Sequence, residues 1–238
     1  MDIIINAEIR RLLDEIKKRL DTIDDLLTFA QKQEGELFMY YSIPDFDKNV
    51  IIPDEIFFDT KMITKEVIQK ILEDHNSVLK NYKVDGILVS EVIYNLGVKY
   101  NLNPAVLLAR IQTESSAITK PISKEHFDWI LGVGCPDKIT RIEKYRGFDK
   151  QLEQAAYKLG RQYLYENPFL NGAPLPEKMI VENHAGDGEK WVIQPKTKAA
   201  YALYTYNPEI GVSKFDGDDV SGNYLFYLVF KRYFGLKK

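Results

Sequence analysis

The amino-acid sequence predicts a predominantly helical α+β protein carrying one small β-hairpin. Three observations predict it. Apolar residues recur at spacings of three and four through most of the chain, the period of an amphipathic helix. Residues that cap helices stand at the starts of several of these stretches. One block, KMIVENHAGDGEKWVIQ, sets two β-rich pieces on either side of HAGDG, the pattern of a hairpin.

The elements follow in order. From residue 9 to 30, Leu13, Leu20 and Leu27 take the a positions of a heptad seam and Ile9, Ile16 and Ile23 the d positions. That geometry shifts a parallel coiled coil toward trimers or tetramers, so a homo-oligomer through residues 9–30 is expected. Leu12 and Leu26 widen the stripe and leave open an amphipathic helix lying on its own domain. Residues 1–34 form this N-terminal helix, 35–56 a Pro- and Asp-punctuated connector, and 57–238 the main domain. Within it Thr64 caps a helix through about Asp74, and Asp85 caps one through Tyr100. Asn103 with Pro104 opens a third helix, running to Ile118. Asp149 caps a fourth, with Leu152, Ala155, Ala156 and Leu159 on its stripe. After the Ile180–Ile193 hairpin, helical texture returns at Thr197–Tyr206 and Asn223–Phe234.

Composition narrows the function classes. With 32 Lys and Arg against 35 Asp and Glu, no basic field recruits nucleic acid. The single cysteine, Cys135, has no partner for an internal disulfide. Apolar runs are too short for a membrane span, and MDIIINAEIRR lacks the regions of a signal peptide. The expectation is a protein made in the cytoplasm that reaches its target by release or as part of a virion. His75, His126 and His184 lack metal-ligand spacing, so neither metal nor cofactor is expected. The run FDGDDVSGN, with Asp216, Asp218 and Asp219, lacks the bidentate Glu of a calcium loop and reads as an acidic turn.

The helix NPAVLLARIQTESSAI carries the candidate chemistry. Leu107, Ile111 and Ile118 form one apolar stripe, and Glu114 falls in its gap. A carboxylate is thereby aimed at the interior or at a cleft wall, where burial raises its pKa and suits it to general acid catalysis. The plain alternative is a glutamate near a helix end, paired with Lys120 or Arg110.

The segments NPAVLLARIQTES, GVGCPD, GFDKQ and ALYTYNP, in that order, resemble bacterial and phage cell-wall hydrolases of the lysozyme-like superfamily, near goose-type lysozymes and soluble lytic transglycosylases. The resemblance runs from about residue 51 to 236 and omits the Ile180–Ile193 hairpin. It implies a lysozyme-like fold, with peptidoglycan glycan strands as the partner. It also implies cleavage of their β-1,4 bond by a muramidase or lytic transglycosylase, Glu114 serving as the acid. An endo-β-N-acetylglucosaminidase, or a non-catalytic glycan-binding virion protein, is the alternative. In the resemblance Ser115 sits beside the acid and Asp137 is the first candidate for a second carboxylate, ahead of Asp128 and Asp149. Gln112 or Gln151 replaces a glutamine the family's turn carries and this one lacks. Tyr206 with Asn207, or Tyr204, lines the cleft.

Overall fold

The computed structural model describes residues 41–61, 63–135, 140–167, 170, 173–184, 188–212 and 220–235. The heptad stretch with its expected oligomer, Asp137, and Asp216, Asp218 and Asp219 lie outside the described residues. Helices α1 (Asp54–Phe57) and α2 (Lys65–Asp74) come first, then a short antiparallel pair, β1 (Lys83–Val84) with β2 (Ile87–Leu88). Next come α3 (Val89–Lys99), α4 (Pro104–Ser115) and α5 (Lys124–Asp128). A 3₁₀ turn (Glu143–Tyr145) precedes α6 (Phe148–Tyr157), which runs on as a π-helix (Lys158–Glu166). The antiparallel pair β3 (Met179–Glu182) and β4 (Lys190–Ile193) pairs Ile180 with Val192. Helices α7 (Lys198–Tyr206) and α8 (Gly222–Phe234) close the order. The described part is thus mainly helical with two small β pairs.

Helix α4 is the axis of the core. Pro104 through Ile111 are all buried, and the helix packs against α8 on one side and α3 on the other. A helix apolar all round belongs inside a protein. Its start is fixed as the sequence predicts: Asn103 Oδ1 accepts from the Ala105 N–H at 2.9 Å. The same side chain donates from Nδ2 to the Ile56 carbonyl at 2.8 Å, so the cap also ties α4 to α1. Thr64 caps α2 by accepting from the Val67 N–H.

The connector proves to be part of this core. Ile51 and Ile52 are buried, and Tyr227 on α8 donates to the Pro44 carbonyl at 2.9 Å. Asp54 accepts from the Ala199 and Lys198 N–H groups at 2.8 and 3.2 Å, while Thr197 Oγ1 accepts from the Ala200 N–H at 3.0 Å. Helix α7 therefore has two caps, one from 144 residues upstream, and a carboxylate against the positive end of its dipole.

Two expected caps are corrected. Asp85 does not open a helix; it sits at φ 51° beside Gly86 at φ 83°, in the turn between β1 and β2. Asp-Gly with two left-handed residues is the signature of a tight hairpin turn, and the signal was in the sequence. Asp149 lies in the first turn of α6 rather than at its cap, which is Gly147 with no side-chain bond. The third helix stops at Ser115, three residues before Ile118, because Ser116 turns left-handed at φ 59°.

Phe230, fully buried on α8, measures the core directly. Phe230→Ala should lower unfolding free energy by about 3–5 kcal/mol, read as a reduced midpoint in urea.

Candidate active site

Glu114 occupies the last turn of α4, and Arg110 stands one turn before it on the same face. Their side chains pair at 3.3 Å, with Arg110 completely buried and the Glu114 side chain 22% exposed. The arginine is beneath and the carboxyl reaches the surface. Arg110 Nη2 donates to Asn223 Oδ1 on α8 at 2.6 Å and to the Leu203 carbonyl on α7 at 3.5 Å. Its guanidinium also lies over the rings of Phe226 at 4.7 Å and Tyr206 at 5.2 Å. Asn223 in turn donates from Nδ2 to the Asn207 and Glu209 carbonyls at 2.8 and 3.0 Å. One cation thus joins three helices under the carboxyl.

Burial raises the Glu114 pKa above the ordinary glutamate value near 4.5; the Arg110 charge opposes this and the charge of Glu209 adds to it. Burial likewise lifts Tyr206, aided by the Glu114 charge, so its phenol stays protonated. Tyr206 donates that proton to the Leu131 carbonyl, at the start of the glycine-rich turn facing Glu114.

The turn is held from behind. Gln151, fully buried on α6, accepts from the Val133 N–H at 3.0 Å. It donates to the Val133 and Tyr145 carbonyls, both at 2.8 Å. Gly134 is at φ 77°, and a Cβ there would come within 2.5 Å of the Tyr145 ring, so the turn accepts only glycine at that point. In front of Glu114 opens a cleft of about 470 Å³, within the range of ligand sites. Ser123, Glu125 and His126 line it from the α5 side, Trp129, Gly132 and Cys135 from the turn, and Arg141 closes the far wall. Burial pushes the Cys135 thiol up, away from the reactive thiolate.

The structure sorts the residues singled out from sequence. Glu114 and Tyr206 meet around Arg110. Gln151 spends its amide on the turn and acts by holding it. Ser115 is buried and donates to the Ile111 carbonyl at 2.6 Å. Gln112 bridges the Ile118 N–H and the Thr119 hydroxyl at 3.1 and 2.9 Å, closing the chain after α4. Asn207 enters through its backbone carbonyl. Tyr204 is fully buried, and its phenol lies under the influence of Asp47 rather than Glu114. Asp128 pairs with Arg146 at 3.1 Å beside the cleft. Arg110 was legible only as an i,i+4 partner of Glu114; Asn223 and Glu209 carried no sequence signal. Among the described residues no group of three His, Cys, Asp or Glu is placed to hold a metal ion, and no helix is long and apolar enough to cross a membrane.

These features define a helical domain built on a buried arginine, with a carboxyl of raised pKa at the head of an open cleft. The chain belongs to the LasA N-terminal domain family, whose model matches residues 49–237. No curated protein and no solved structure matches it. LasA is a staphylolytic peptidase of the M23 family. The membership corrects the expected activity: the family points away from a muramidase, lytic transglycosylase, glucosaminidase or other lysozyme-like glycosidase, although the wall remains the common theme. The motifs behind that expectation are a capped helix ending in Glu-Ser and a glycine turn, which any fold presenting a carboxyl at a helix end can share.

Two outcomes follow from this geometry. Gln151→Ala leaves buried turn groups unpaired, at about 1–3 kcal/mol for a stranded buried donor or acceptor; chemical denaturation reads the loss. The pKa of Glu114 is raised on folding, so its contribution to stability is complete below the unfolded value and is lost as pH climbs through the folded one. Wild-type stability should therefore decline as pH rises above about 4.5, and Glu114→Gln should remove that part of the decline in denaturation curves across pH.

Proposed function

We propose that the chain is a cell-wall-acting enzyme whose Glu114 cleft engages the peptide part of peptidoglycan and cleaves an amide bond there. The observation carrying the reading is Glu114: a carboxyl whose pKa burial raises, held by a buried arginine and open to a cleft. Family membership adds the wall and the peptidase class by analogy. In this reading protonated Glu114 gives its proton to the departing nitrogen as the C–N bond breaks. The attacking water supplies the new C–O bond and returns a proton to Glu114, leaving an acid and an amine. Tyr206 and Gln151 keep the turn opposite the carboxyl fixed, so the proton is delivered from one position.

The test is product analysis. Purified peptidoglycan incubated with the full chain should gain free amino groups without gaining reducing sugar ends. Glu114→Gln keeps the shape and removes the transferable proton, and should slow amino-group release by about 10²–10⁴-fold. Reducing ends without amino groups, no products at all, or a variant as active as wild type would each overturn the reading.

A further inference from the structure

The cleft in front of Glu114 does not end at its far wall. Glu125, Trp129 and Arg141 line both it and a second compartment of about 430 Å³. Arg141 therefore stands where the two meet, and two contacts fix its guanidinium. Nη1 donates to Glu125 Oε1 at 2.8 Å. The cation also lies over the Trp129 ring, 5.5 Å from its centroid, within reach of a cation–π attraction. The indole is itself held. Trp129 is 6% exposed, its N–H donates to the His126 carbonyl at 3.2 Å, and its carbonyl accepts from the Gly132 N–H at 2.9 Å.

The charge of this arginine is only lightly spent. Its side chain is 47% exposed and that of Glu125 is 73% exposed. An ion pair so open to water contributes little, so Glu125 aims the guanidinium more than it neutralises it. The fork carries five N–H donors, and among the described residues one hydrogen bond engages it. Arg146, the other arginine of the second compartment, differs. It meets Asp128 at 3.1 Å and Glu143 at 3.7 Å, so two carboxylates share its charge. The Arg141 charge also reaches Cys135 on the glycine-rich turn, where it opposes the upward push of burial on the thiol.

A guanidinium aimed by one carboxylate and stacked on an indole is pre-organised to take a planar anion on its free edge through two parallel N–H···O bonds. Resting on the wall-peptide reading of the cleft, we infer that Arg141 is a specificity-determining residue that anchors a carboxylate of the bound peptide, with Trp129 and Glu125 holding it in position. A stem peptide offers that chemistry at two places, its terminal carboxylate and an internal one on a γ-linked glutamate. Glu114 and Arg141 line the same compartment, so the anchored carboxylate fixes which amide along the peptide lies against the Glu114 carboxyl.

Calorimetric titration of the full chain tests this, with Glu114→Gln in the background so that binding is read without turnover. The probe is the tetrapeptide L-alanyl-γ-D-glutamyl-L-lysyl-D-alanine, against the same peptide with both carboxyls converted to carboxamides. Amidation should raise Kd by about ten- to hundredfold, the range of a charge-assisted hydrogen bond. Peptides amidated at one carboxyl only then tell the terminal anchor from the internal one, the loss following the carboxyl that Arg141 holds. Adding Arg141→Gln should make free and amidated peptides bind alike, and Arg141→Lys, which keeps the charge without the fork, should restore only part of the preference. Lys70→Gln removes an equal charge outside both compartments and should leave the preference whole. Equal binding of the two peptides to the parent chain, no binding of either, a preference that survives Arg141→Gln, or one that Lys70→Gln also erases would each overturn the inference. The two readings fail separately. Carboxylate-dependent binding of a peptide that the wild type does not cleave overturns the peptidase reading alone, whereas cleavage of free and amidated peptides with equal affinity overturns the anchor alone.

Discussion

Everything near the cleft depends on the burial of Arg110. A guanidinium taken wholly out of water costs several kcal/mol unless its charge is matched and its hydrogens are bonded. Here the two terminal nitrogens are matched from three directions, by Glu114 on its own helix, Asn223 on α8 and the Leu203 carbonyl on α7, with two aromatic faces beside them, while the buried Nε has no hydrogen-bond partner among the described residues. Those helices cannot shift independently without leaving a donor stranded. The same arrangement fixes the geometry of Glu114 and, by occupying the interior side of its carboxyl, leaves the other side to the cleft.

Much of the local architecture is written in residue order. Thr64 and Asn103 with Pro104 cap helices where expected, because N-cap chemistry acts over two or three residues, and Thr197 proves to do the same at the start of α7. The Ile180–Ile193 block pairs as a hairpin for the same local reason. Asp85 and Asp149 were misread because an aspartate before an apolar run serves equally as a cap, a turn residue or a first-turn anion. What was not legible is long-range. Asn223 meets Arg110 across 113 residues and Asp54 caps a helix 144 residues away, and no spacing rule reaches that far. Glu114 was visible as a carboxyl on an apolar stripe, but its support was not. The resemblance to lysozyme-like enzymes rested on short helical and turn motifs, which report how a carboxyl is presented and leave open the bond it acts on.

The division of labour in the site is also one of scale. Short contacts at the end of α4, made by Gln112 and Ser115, finish a helix. Gln151 and Tyr206 work one level up, locking a turn against the body of the domain. Arg110 and Asn223 connect whole helices. Ordering the groups this way explains why several polar residues clustered in sequence around Glu114 contribute to its surroundings without facing the cleft.

The π-helix from Lys158 to Glu166 has a consequence for how the family can vary. It follows α6 without a break and carries Tyr163 into the field of Arg110, where burial pushes the phenol up to about 12. A wider helical turn is an α-helix that has absorbed extra chain, and each residue of an α-helix advances the azimuth by about 100°. Losing one residue here would let the segment relax toward α geometry with the chain after it near its present register, whereas the same loss from α6 would swing everything after it by about 100°. Gly160, within this segment, approaches the Tyr100 carbonyl so closely that a Cβ would meet it at 2.2 Å. Side-chain identity at Gly160 is therefore under tighter constraint than chain length around it: the wide turn can give up a residue, but position 160 cannot gain a side chain.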